Sequence, residues 1–176
     1  MASLSCSIWV RVILICAIAV PVVGQKSKAA AKPSAPTITI SVDASDAPRK
    51  IFHAQLTIPA SAGSLTLYYP KWIPGEHGPT GPIQDLTGLK FTANGQTLKW
   101  RRDLLDGWTF HIEVPSGASA VNASLDFVSP TGEEGLFTGG ASATDKMMVL
   151  SWNTVLLYPA GWTADELTYQ ALFSRW

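Results

Sequence analysis

Residues 71–86 read KWIPGEHGPTGPIQDL and set a carboxylate, Glu76, beside an imidazole, His77, a pairing capable of general acid–base work. Zinc peptidases of the H-E-x-x-H type need more: two imidazoles four residues apart on one helical face, with the glutamate as base. Here the order is reversed and the second imidazole is absent. Pro74, Pro79 and Pro82, with Gly75, Gly78 and Gly81, forbid a helix in any case. The pair therefore reads first as a solvated loop pair, and a small hydrolase using Glu76 and His77 stands last among the functional readings. His53 and His111 fall on the polar register of two strand-like runs. They could share a metal if those strands were neighbours, but two imidazoles without a nearby carboxylate make a poor zinc set. No G-x-S-x-G elbow and no G-x-G-x-x-G phosphate cradle occurs. The residues nominate no catalytic, cofactor-binding or metal-ligating group in this chain.

Binding is the other chemistry on offer. Flat aromatic rings stack on sugar faces and grip peptides, and the chain has seven tryptophans. Trp72 and Trp162 lie beside loop prolines and glycines, where a ring can stay outside. Trp100 and Trp108 fall on the apolar register of strand-like runs and read as core. Asn122-Ala123-Ser124 fits a glycosylation acceptor but carries little weight without a known host. The candidate interface or ligand loop is thus Trp72, Pro74, Gly75, Glu76, His77 and Asp85.

These residues must be positioned by strands, because the chain alternates with period two almost throughout. Ile38, Ile40 and Val42 face one way in TITISV. Phe52, Ala54, Leu56 and Ile58 do so in IFHAQLTI, and Val121, Ala123, Leu125 and Phe127 in VNASLDF. WTFHIEV places Trp108, Phe110, Ile112 and Val114 together. One buried and one wet face implies antiparallel pairing. Asn94-Gly95 is a hairpin signal, since a type I′ turn needs positive φ at both central residues. Only residues 163–167 hint at a helical turn. Eight or nine strands at this spacing predict an all-β fold, an antiparallel β-sandwich, with a partly closed barrel as the alternative. ELTYQALFSRW predicts a strand whose Leu172, Phe173 and Trp176 form an apolar tail, as if the sandwich were incomplete at its C-terminal end.

Residues 12–23, VILICAIAVPVV, follow Arg11 and precede Gly24-Gln25, the pattern of a secretory leader over residues 1–24. Twelve apolar residues fall short of the roughly 20 that span a bilayer, and an uncleaved anchor is the rival reading. Both cysteines, Cys6 and Cys16, lie in that leader, so the mature chain would have no disulfide and no thiolate. Residues 25–35 read as a flexible tether, leaving residues 36–176 as the β domain. The expected location is periplasmic or extracellular. A net charge of zero offers no electrostatic reason to expect nucleic acid as a partner, nor a membrane once the leader is removed.

YYPKWIPGEHGPTGPIQDLTGLKF, then TANGQTLKWRRD and later SWNTVLLYP, resembles the N-terminal region of the glycyl aminopeptidase family, zinc peptidases of the thermolysin-like group. Trp72, Pro74, Gly75, the following Asp85 and the Asn94-Gly95 hairpin carry the resemblance, which runs from about Thr37 onward. It implies an all-β N-terminal domain preceding a helical zinc domain that bears H-E-x-x-H, often with a PDZ module beyond. Zinc would then belong to that catalytic domain, and no ligand of it carries over to a position here. Many relatives continue Pro-Gly with Ser-Tyr, where this chain has Glu76-His77. The leading expectation is an accessory domain or fragment of an exported aminopeptidase, inactive alone. Its partner would be the catalytic domain or its peptide substrate. The alternative is a free-standing exported module that binds peptide or glycan.

Overall fold

The computed structural model describes residues 34–130 and 141–175. The leader read at 1–24, most of the tether read at 25–35, and Trp176 lie outside them.

Among the described residues twelve strands form, all short enough for their pattern to be set by side-chain alternation. They are β1 (Thr37–Asp43), β2 (Ile51–Pro59), β3 (Gly63–Tyr68), β4 (Leu86–Ala93), β5 (Gln96–Leu98), β6 (Trp100–Arg102), β7 (Thr109–Val114), β8 (Ala120–Val128), β9 (Ala141–Ala143), β10 (Met148–Leu150), β11 (Tyr158–Pro159) and β12 (Thr168–Arg175). A six-stranded sheet runs β12-β1-β2-β8-β4-β5, a four-stranded sheet β11-β3-β7-β6, and β9 pairs with β10 as a hairpin. Among the described residues no sheet closes into a barrel. The excess over eight or nine strands comes from two- and three-residue pieces such as β6, β9, β10 and β11, too short to show a period.

The alternation predicts the core well. Ile38, Ile40, Val42, Phe52, Ala54, Leu56, Ile58, Val121, Ala123, Leu125 and Phe127 are all buried on the inner face of the large sheet. They meet Leu67, Phe110, Ile112 and Val114 from the smaller one in a single core cluster. Each large side chain so buried contributes about 1.5–3 kcal/mol. Phe52 lies directly across from Phe127 in the β2–β8 register, so its truncation to alanine would open a cavity costing about 3–5 kcal/mol. Asn94 and Gly95 both have positive φ, 50° and 74°, and turn β4 into β5 as the dipeptide predicts. A 3₁₀ turn at Ala164–Glu166 satisfies the helical hint before β12.

The antiparallel β-sandwich expected from alternation is what forms, with one strand pair departing from it and one core assignment needing correction. β12 pairs with β1 in parallel, Thr37 opposite Thr168 through Val42 opposite Phe173, whereas every other described strand pair is antiparallel. Alternation reports which face is wet, and says nothing of strand direction. Trp100 is not core. It sits on β6, at the edge of its sheet, and is 38% exposed, with its ring set edge-on against Phe91 and Phe110. An edge strand has a neighbour on one side only, so an inward register position still meets solvent. Trp108 is half-buried, just ahead of β7.

Candidate functional site

The loop between β3 and β4 is built on a rigid neck. Tyr69 is fully buried, its N–H donating to the Trp108 carbonyl at 2.8 Å and its phenol to the Thr154 carbonyl at 2.9 Å. Burial, with the charge of Asp85 adding to it, pushes that phenol far above its ordinary pKa. The strands of the loop are pinched together where the Gly81 N–H donates to the Lys71 carbonyl at 3.0 Å. A Cβ on Gly81 would lie 1.8 Å from the Pro70 carbonyl oxygen, so only glycine fits. The Trp108 indole N–H then donates to the Gly81 carbonyl at 2.9 Å. Lys71 lays its ammonium 4.9 Å above the Trp108 ring and 3.3 Å from Asp106. The Asp106 carboxyl is partly buried, which raises its pKa. The Trp108 backbone N–H and the Lys71 ammonium outweigh that and hold it below the usual range.

Beyond the neck the loop splits its side chains. Ile73 turns inward and is 6% exposed, while Trp72 stands out at 65%. Gly75, at φ 91°, lets the Glu76 N–H return to the Ile73 carbonyl at 3.0 Å. His77 is exposed and Glu76 half-buried. Asp85 ends the 3₁₀ turn Ile83–Asp85 that leads into β4, accepting a hydrogen bond from Gln84 at 3.2 Å.

Trp72, Ile73 and Pro74 line a cavity of about 450 Å³ together with Tyr158, Trp162 and Tyr169. That volume is within the range of small-ligand and peptide-side-chain sites. The two loop tryptophans singled out from sequence are thus brought to one place. Glu76, His77 and Asp85 do not line this cavity. The two tyrosines were missed, since both belong to strand-like runs roughly a hundred residues further on and nothing local marks them. Burial raises the pKa of both phenols.

The histidines sit elsewhere and apart. His53 is on β2 of the six-stranded sheet and His111 on β7 of the four-stranded one, so they are not neighbours. Each has carboxylates that its local sequence does not announce. His53 Nδ1 meets Asp126 at 2.7 Å and its Nε2 meets Asp46 at 3.3 Å. The hydrogen bond to Asp126 raises the His53 pKa against partial burial, and Asp46 adds to the rise. His111 Nε2 meets Asp103 at 2.9 Å and its Nδ1 meets the Thr66 hydroxyl at 3.1 Å. Asp103 is drawn down to about 2 by His111 and by the backbone N–H groups of Leu105 and Asp106.

Residues 39–173 match the family model described as the Peptidase M61 N-terminal domain. The chain belongs to that family. Among solved structures, the aminopeptidase N family protein of Idiomarina loihiensis superposes with a TM-score of 0.60 at 18% identity, over 76% of this chain. The M61 N-terminal domain chain spans only 22% of that protein's length. An M1 zinc metallopeptidase from Deinococcus radiodurans, bound to a Tyr-Ser-Ala substrate, gives 0.38 at 11% identity over 80% of this chain and 30% of its own. Comparison with curated proteins finds no match.

Zinc, which the family resemblance implies for a catalytic domain, does not fit the described residues of this M61 N-terminal domain. Among the described residues no group of three or more histidine, cysteine or carboxylate side chains converges on a point where an ion could sit. At His53 the two aspartates lie against opposite ring nitrogens, so one ion cannot touch all three. At His111 the second nitrogen faces a threonine hydroxyl.

Proposed function

We propose that this M61 N-terminal domain is an accessory, non-catalytic part of an exported zinc aminopeptidase, and that its Trp72–Asp85 loop packs on a catalytic domain and shapes the substrate cleft there. The observation that carries this reading is the loop itself. It is held by a glycine that admits no side chain, a buried tyrosine and an indole hydrogen bond, yet it presents Trp72 outward. A segment fixed before it meets a partner loses little entropy on docking. The family assignment supplies the partner's class, and the leader-like N-terminus supports export.

Purified full-length chain, assayed on unblocked aminoacyl and peptide substrates with and without added zinc, is expected to show no turnover. A catalytic domain of an M61 peptidase added in trans should bind the chain and lose that binding with Trp72→Ala. Zinc-dependent release of amino-terminal residues by the chain alone would overturn the proposal.

A second reading is favoured by the cavity between Trp72, Tyr158, Trp162 and Tyr169, whose size and aromatic lining suit a free-standing module for peptide or glycan. Titration with short peptides and oligosaccharides, followed by tryptophan fluorescence, separates the two. Saturable binding in the absence of any catalytic domain supports the module.

A further inference from the structure

The turn joining β6 to β7 displays two adjacent leucines that the fold does not use. Leu104 is 95% exposed and Leu105 99%. The turn is nonetheless firmly built. Asp103 Oδ1 accepts from the backbone N–H groups of Leu105 and Asp106 at 2.9 and 3.0 Å. The Asp103 N–H donates to the Thr109 carbonyl at 2.9 Å, and the Thr109 N–H to the Asp106 carbonyl at 3.0 Å. All of these bonds involve backbone, Asp103 and Thr109, so polar residues at 104 and 105 would serve the turn equally well and would be better solvated. Single exposed leucines are ordinary. A pair at the tip of a fixed turn presents a small convex apolar surface.

The charge around the tip has a sign. Arg101 and Arg102 immediately precede it and are exposed, and neither forms a salt bridge with another described residue. The Arg102 guanidinium lies 5.5 Å from the Phe110 ring centre, and Trp100, one residue further back, is 38% exposed. The two carboxylates of the turn are engaged: Asp103 with His111 and backbone N–H groups, Asp106 with Lys71 at 3.3 Å. A net charge of zero for the whole chain conceals this placement.

We propose that the 103–106 turn is a membrane-contacting wedge. Leu104 and Leu105 enter the headgroup–acyl boundary of an anionic phospholipid bilayer while Arg101 and Arg102 meet the phosphates. Two projecting apolar side chains backed by an aromatic ring and by two arginines that form no salt bridge with another described residue are the elements of interfacial attachment. A convex tip also suits a deformable lipid surface without a preformed pocket. This goes beyond the accessory-domain reading and does not depend on it.

Because residues 12–23 could themselves hold the full chain on vesicles, the test must report on the turn alone. Gly107→Cys, in a Cys6→Ser, Cys16→Ser background, places an environment-sensitive fluorophore beside both leucines, where a Cβ meets nothing within 4 Å. With phosphatidylglycerol-containing vesicles the probe should shift to the blue and be quenched by nitroxide lipids, and salt should reverse both effects. The same probe at Gln55→Cys, exposed on β2, should stay aqueous. Leu104→Ser with Leu105→Ser should abolish the shift. Arg101→Gln with Arg102→Gln should weaken apparent affinity roughly tenfold to thirtyfold at low salt. Unchanged unfolding midpoints would show that both variants still fold. A probe at 107 that stays aqueous on vesicles carrying the chain overturns the proposal. So does a shift that survives the serine pair, or one that appears without lipid as protein concentration rises.

Discussion

Gly81 and His53 show how much a single residue decides. Gly81 has ordinary φ, so its requirement is spatial: any Cβ runs into the Pro70 carbonyl, which is backbone and cannot swing aside. Gly81→Ala should therefore lower stability by about 2–4 kcal/mol and disturb the Trp108 indole bond, read as a lower denaturation midpoint with altered tryptophan emission. His53 makes a pH-dependent contribution. Its folded pKa is raised above 6.5 by Asp126 and Asp46, with Asp43 the facing residue on β1. A raised pKa means the folded state binds the proton more tightly, so this stabilisation is complete below the unfolded pKa and is lost as pH rises through the folded one. The unfolding midpoint of the native chain should exceed that of His53→Gln by more at pH 5.5 than at pH 8.5. An equal gap at both values would show that the imidazolium is not what Asp126 and Asp46 hold. The three histidines were visible in the sequence from the start. Their partners were not, because Asp126 lies 73 residues from His53 and becomes its cross-strand neighbour only through the β2–β8 register.

At the scale of elements, alternation was legible wherever a strand has one wet face and five or more residues. β1, β2, β7 and β8 were found with their inner faces correctly assigned for that reason. The Asn94-Gly95 turn was legible because its chemistry is local. What period two cannot carry is neighbourhood or direction, hence the unforeseen parallel β12–β1 pair and the misplaced Trp100. The aromatic cavity was half legible: Trp72 and Trp162 stand among turn residues, whereas Tyr158 and Tyr169 join them only in three dimensions. β12 forms the edge of the six-stranded sheet and is exposed along nearly its whole length, with Leu172 at 48% and Phe173 at 42%, the latter ring 5.1 Å from Trp152. Residues 168–174 carry no charge and no proline, so little guards this edge against pairing with another strand. The chain should associate as concentration rises in analytical ultracentrifugation. Leu172→Lys should suppress that association while changing stability by less than about 0.5 kcal/mol, the residue being half-exposed. A monomer at all concentrations would mean that the edge is already protected.

For the molecule as a whole, the deciding question is whether peptidase chemistry resides in this chain or in what it would pack against. Zinc-dependent amide hydrolysis needs three protein ligands around an ion with one open position, and a base within reach of the bound water. The sequence holds three histidines in all, at 53, 77 and 111, and no two of them are four residues apart. The fold sends His53 and His111 to different sheets, gives each its own carboxylate, and leaves His77 exposed on the β3–β4 loop. Any zinc bound should therefore be held weakly, by single imidazoles with water completing the shell, and competitively with the hydrogen bonds already made. Calorimetric titration of chelator-treated chain is expected to show no site in the nanomolar range, and zinc should not raise the unfolding temperature, since stabilisation follows the logarithm of ligand over Kd. The Trp72 ring, in contrast, should respond to a partner: its emission should shift on adding an M61 catalytic domain, with Trp72→Ala removing the response and leaving the fold intact. Tight stoichiometric zinc accompanied by cleavage would place the chemistry in this domain after all, and would require a donor set that brings together residues now held on separate sheets.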